Sequence, residues 1–188
     1  DSIHWLLFAA LSAQRVPRRI LEVGTYDGNF TALLARLFPT SQIVTVDLPD
    51  SDPILRSSYG RAEKSAYAKF KDVQSGNLAA PNIQFVQANS FFLPQLVEQP
   101  FDVVWLDGGH LYPAVAWDFC NVWHLTTQGA DIICDDVIPI RHGMRNAYVS
   151  PDSYELIRFL SDRTDIRVSM FLKRRGSDYS FDPIRRKF

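Results

Sequence analysis

The chain has 188 residues, 46% of them hydrophobic and 22% charged, with a formal net charge of -1. That is enough for one domain with a substantial core and too little for two, so residues 1–188 are read as a single domain. Near-neutrality argues against a broad electrostatic surface for nucleic acid, and the basic run from Lys173 to Arg175 and the later Arg185, Arg186 and Lys187 read as a solvated end.

Residues 1–16 contain an apolar run, 3–11, that is too short to span a membrane and has no basic segment before it. It is expected to form an amphipathic helix buried on the domain. From residue 19 onward, strand-like segments at 19–24, 42–47, 83–87, 101–107, 130–136 and 166–173 alternate with helical spacing at 29–38, 61–70, 91–97, 112–125 and 154–162. This alternation predicts an α/β fold, a doubly wound and mostly parallel sheet with helices on both faces. The nearly unbroken apolar run at 101–106 suits a strand buried on both sides. A seventh strand has only a poor candidate at 178–184, which contains Pro183 and acidic residues.

Residues 49–80 open as a Pro-, Ser- and Asp-bearing loop, and residues 137–150 form another with Pro139 and Gly143; the stretches 49–80 and 137–153 are expected to shape the site for a second substrate. Arg141, His142 and Arg145 on the later loop are solvated by default, with contact to an acidic or phosphorylated group as the alternative. Cys120 and Cys134, both inside apolar segments, read as small core residues and point to a reducing cytosol and a cytoplasmic protein. Trp105, Tyr112, Trp117 and Trp123 also read as core, and His4 and His124 as ordinary packed or surface residues.

The segment ILEVGTYDGNFT puts Glu22, Gly24, Tyr26, Asp27 and Gly28 at the end of the first strand, where open α/β sheets bind ligands. A dinucleotide turn needs a second glycine two residues after the first, and Tyr26 stands there, which disfavours a nicotinamide-dependent oxidoreductase. The wider E-x-G-x-x-x-G spacing suits a cofactor without phosphate. Asp47 ends the second strand, where a carboxylate can accept both hydroxyls of a ribose. Asp107 ends the fourth strand and Asp135-Asp136 the fifth, so three carboxylates are expected to converge; oxygen-only ligands favour a hard ion such as magnesium. Successive strand residues face opposite ways, so Asp135 and Asp136 can share one ion only if the chain has already left the strand.

Glu22-Val23-Gly24 through Gly28, Asp47 and FDVVWLDGGHLYPAVAWD together resemble the class I S-adenosylmethionine-dependent methyltransferases over residues 17–137. The resemblance implies that Glu22 and the loop Gly24, Tyr26, Asp27, Gly28 line the methionine end, that Asp47 binds the ribose, and that Asn89 and Ser90 lie beside the adenine, with Asp107 bordering the cofactor. Asn89-Ser90 departs from the acid that many members carry there. Within that superfamily, Asp107-Gly108, His110 and Tyr112 followed by Asp135-Asp136 resemble the magnesium-dependent sugar O-methyltransferases of macrolide and aminocoumarin biosynthesis. This implies Asp107, Asp135 and Asp136 as magnesium ligands, His110 as general base, and a hydroxylated small-molecule acceptor such as a sugar. Residues 138–188 would then supply a substrate loop and C-terminal elements, and an oligomer is compatible with the sequence. Three alternatives stay open: a metal-free site in which Asp107 and Asp136 hold loops and His110 acts alone, a purely structural His110, and a non-catalytic S-adenosylmethionine-binding module.

Overall fold

The computed structural model describes residues 3–97, 100–137 and 151–171. Five parallel strands form one sheet in the order β3-β2-β1-β4-β5. They are β1 (Arg19–Val23), β2 (Gln42–Asp47), β3 (Ile83–Gln87), β4 (Phe101–Leu106) and β5 (Thr126–Cys134). The helices are α1 (Ile3–Gln14), α2 (Asn29–Leu37), α3 (Pro53–Ser57), α4 (Lys64–Asn77), α5 (Leu93–Leu96), α6 (Ala114–His124) and α7 (Pro151–Ser161).

Alternation along the central strands divides the core into two layers. Leu21, Val23, Val44, Val46, Val104 and Leu106 pack with Leu93 of α5, Phe119 and Val122 of α6 and Leu160 of α7. Ile20, Ile43, Val103 and Trp105 pack on the other face with Phe8 of α1 and Leu34 and Ala35 of α2. Both faces are therefore covered, which is why these strands are mostly apolar along their length. Each such fully buried side chain contributes about 1.5–3 kcal/mol.

Several expectations change. Residues 166–171 form no strand; Ile166 packs against the core from an irregular segment, while Met170 and Phe171 are exposed, so the period-two pattern there has no ladder beneath it. The helix expected at 61–70 begins at Lys64 and runs on to Asn77. Trp117 and Trp123 are 43% and 39% exposed, and Cys120 is exposed, because α6 buries only the stripe that includes Asp118, Phe119 and Val122; Tyr112, in the turn before α6, is 45% exposed. Trp105 is buried as expected. Arg141, His142, Arg145, both basic runs and residues 178–184 lie outside the described residues. Among the described residues, no helix is long and apolar enough to cross a membrane.

Candidate active site

Strand order reverses between β1 and β4, and ligands of open α/β sheets sit outside the carboxyl ends of the strands at such a point. The carboxyl ends of three strands gather there. The Asp107 backbone N–H donates to Val23 O at 2.9 Å, and the Asp135 N–H to Leu106 O at 3.0 Å, so β1, β4 and β5 end side by side.

Gly24 is required by this closeness. Its φ is +99°, and a Cβ there would lie 2.2 Å from Asp107 O. Tyr26 follows at φ +50°, a left-handed conformation unusual for a large side chain. Its N–H donates to Asp47 Oδ2 at 2.7 Å, while Asp47 Oδ1 accepts from Leu48 N–H at 2.7 Å. Each carboxylate oxygen keeps a further lone pair, as ribose recognition needs. Burial raises the Asp47 pKa, and the two backbone donors oppose that rise. Asp27 Oδ1 accepts from Asn29 N–H at 3.0 Å, and Gly28 precedes α2 at φ +75°. Both residues therefore set the entry of α2.

Glu22 stands elsewhere than expected. It is 1% exposed, and its Oε2 accepts from Thr31 Oγ1 of α2 at 2.5 Å and from Thr45 Oγ1 of β2 at 2.6 Å. Burial pushes its pKa up to about 7, the two hydroxyl donors pulling the other way. The carboxyl ties β1 to β2 and α2 from within rather than lining an open face. Asn89 is exposed and accepts Phe91 N–H at 3.0 Å, opening a short 3₁₀ turn at Ser90–Phe92. Ser90 donates to the buried Asp118, which lies beneath Gly108 and whose pKa burial raises to about 6.

Asp107, His110 and Asp136 come together. His110 Nε2 lies 3.6 Å from Asp107 Oδ1 and 3.7 Å from Asp136 Oδ2. The expected convergence of three aspartates does not form. Asp135 is 8% exposed, and its Oδ2 lies 3.4 Å from His4 Nδ1, in the layer of α1 and α2 where the His4 ring meets Phe30 and Trp105. Alternation separates the two neighbours, and Asp136 leaves the strand at φ +48° with its N–H donated back to Asp135 Oδ1 at 2.8 Å. Among the described residues, no group of three or more His, Cys, Asp or Glu side chains is placed to hold one ion. Asp107 and Asp136 are the two carboxylates that face His110.

Sequence reasoning missed two partners of this site. His4, fifteen residues before β1 begins, had no motif to mark it. The α7 start was also silent: Asp152 Oδ2 accepts Tyr112 N–H at 2.8 Å and Ser153 Oγ donates to His110 O at 3.4 Å, so α7 holds the loop that carries His110.

The family model described as "Methyltransferase domain" matches residues 21–137. The chain belongs to the methyltransferase-domain family. That match takes in β1 through the end of β5, the strand ends just described included. No functionally curated sequence matches the chain. Among solved structures, it is similar to the O-methyltransferase TomG of Streptomyces achromogenes, solved with SAM, at 23% identity and TM-score 0.62, covering 86% of this chain and 69% of that one. Cofactor-bound Rv0187 from MTB is similar at 22% identity and TM-score 0.66, over 87% and 70% of the two chains. An O-methyltransferase from Bacillus cereus, solved with SAH, is similar at 19% identity and TM-score 0.62, over 86% and 70%. At these identities the likeness establishes the α/β methyltransferase fold.

Proposed function

We propose that this methyltransferase moves the methyl group of S-adenosylmethionine to a hydroxyl oxygen of a glycoside or related polyol, with His110 as general base. The observation that carries the reading is the position of His110 Nε2, 3.6 Å from Asp107 and 3.7 Å from Asp136, at strand ends that abut the Gly24 turn. The methionine end of the cofactor would lie along Gly24 to Gly28 and its ribose on Asp47. The acceptor oxygen attacks the methyl carbon in line, the carbon–sulfur bond breaks to leave a neutral thioether, and the hydroxyl proton passes to His110 Nε2. Two flanking carboxylates stabilise the imidazolium that forms.

Asp107 and Asp136 would also hold a divalent cation such as magnesium, with water completing its shell. When bound, that ion lowers the pKa of a coordinated hydroxyl. Asp135, engaged by His4, stands apart from this pair. A metal-independent reaction draws on the same contacts, since the imidazolium between two carboxylates is already balanced.

Turnover of a panel of hydroxylated acceptors, measured against chelator with wild type and His110→Ala, tests these readings. Loss on chelation, restored by magnesium, supports the cation; full turnover in chelator removes it and leaves His110 as the base. A loss on the order of a hundredfold or more in His110→Ala supports the base. Tight binding of S-adenosylhomocysteine, no transfer to any acceptor and no effect of His110→Ala would instead mark a non-catalytic binding module.

A further inference from the structure

We infer that Gln74 of α4, oriented by Lys71, is a positioning residue for the cofactor loop, and that α4 therefore serves the cofactor side of the site. This rests on the S-adenosylmethionine reading and extends it to a segment that carries no motif. Gln74 is 2% exposed, and its Nε2 donates to Tyr26 O at 2.6 Å. Tyr26 N–H in turn donates to Asp47 Oδ2 at 2.7 Å. The two polar groups of one residue are thus held from opposite sides, by the carboxylate proposed for the ribose and by the buried amide of α4. One turn along, Asn77 Nδ2 donates to Asp27 O at 2.8 Å.

The direction of the Gln74 amide follows from its other partner. Lys71 Nζ donates to Gln74 Oε1 at 2.5 Å, and an ammonium has donors only, so the amide NH₂ must face Tyr26 O. Lys71 is itself held by Asp50 Oδ1 at 2.9 Å, just beyond β2, and Asp50 accepts from Gln87 Nε2 of β3 at 2.7 Å. A continuous polar chain runs from the end of β3 to the Tyr26 peptide. The Arg61 guanidinium adds an outer cover, 5.5 Å from the Tyr26 ring centroid and 4.5 Å from that of Phe70. Tyr26 holds φ +50°, a conformation that a non-glycine residue keeps only when its surroundings over-determine it. Gln74 and Asp47 are the groups that do so. Within residues 49–80, expected from the sequence to shape the acceptor site, Lys71, Gln74 and Asn77 fasten the turn against which the cofactor's amino acid and ribose would lie.

Calorimetric titration with S-adenosylhomocysteine, paired with kcat at saturating cofactor, tests this. Gln74→Ala should raise the Kd about tenfold, the worth of one buried hydrogen bond, and leave kcat within about threefold. Lys71→Met frees the amide to turn and should raise Kd in the same direction, whereas Lys71→Arg keeps a donor and should restore it. Asn82→Ala, which cuts bonds to Phe38 O and Ser41 O at the far end of the sheet, should lower Tm without moving Kd. A Gln74→Ala protein that binds as tightly as wild type, or one whose loss lies wholly in kcat, overturns the positioning role while leaving the cofactor reading intact. A wild type that takes up no S-adenosylhomocysteine overturns both.

Discussion

Asp135 Oδ2 lies 3.4 Å from His4 Nδ1, while the very next residue, Asp136, directs its carboxylate to His110. One β-strand end thus serves two layers of the fold. The pair Asp135 and His4 fastens α1 to β5, and Asp136 faces His110 in the proposed reaction centre.

The two aspartates are accordingly expected to differ under the same substitution. Asp135→Asn should lower stability by about 1–2 kcal/mol, measured by denaturant unfolding, and leave kcat within about threefold. Asp136→Asn should do the reverse: little change in stability, and a fall in kcat/KM on the order of tenfold or more.

Glu22 makes stability depend on pH. Its folded pKa of about 7 stands above the ordinary value of 4.5, so the folded state holds more protons than the unfolded state between those values. Stability is then greatest below the lower value and falls as pH rises through the window. From pH 5 to 8 this group alone should remove roughly 2 kcal/mol. Glu22→Gln keeps an acceptor for Thr31 and Thr45 and should flatten that fall in denaturant titrations at the two pH values.

The cysteines should separate by reactivity. Cys120 is exposed on α6, whereas burial pushes the Cys134 thiol up to about 12. At pH 8 one thiol should react with an alkylating reagent in the native protein, and two only after unfolding. Mass spectrometry of the labelled peptides identifies which.

Gly24→Ala combines a left-handed φ with a Cβ 2.2 Å from Asp107 O. The β1 and β4 ends would have to part, at a cost of about 3 kcal/mol or more, and binding of S-adenosylhomocysteine should fall with them. The same substitution at Gly60, where φ is +71° but nothing lies within 4 Å, should cost less and spare binding.

Strand positions were largely legible because a parallel strand buried on both sides needs a nearly continuous apolar run, as at Phe101–Leu106, and a turn at a strand end needs residues that tolerate unusual φ, as at Gly24 and Gly28. Helix α6 misled for the opposite reason. Its aromatic residues fit a helical stripe, but Trp117 and Trp123 stand outside the stripe that meets the sheet, and Trp117 instead stacks on Phe91 at 4.1 Å. Period alone does not say how wide a face the neighbours cover.

Chain order and residue type by themselves determined the α/β architecture, the glycine turn, and the placing of Asp47, Asp107 and Asp136 at strand ends, since each follows from spacing within one segment. Which groups meet was decided by tertiary structure alone. His4 reaches Asp135 from 131 residues away, Gln74 reaches the Tyr26 carbonyl across 48, and Glu22 turns inward to two threonines. Such contacts depend on how α1, α2 and α4 dock on the sheet, and docking is set by the packing of whole faces, which no local spacing encodes.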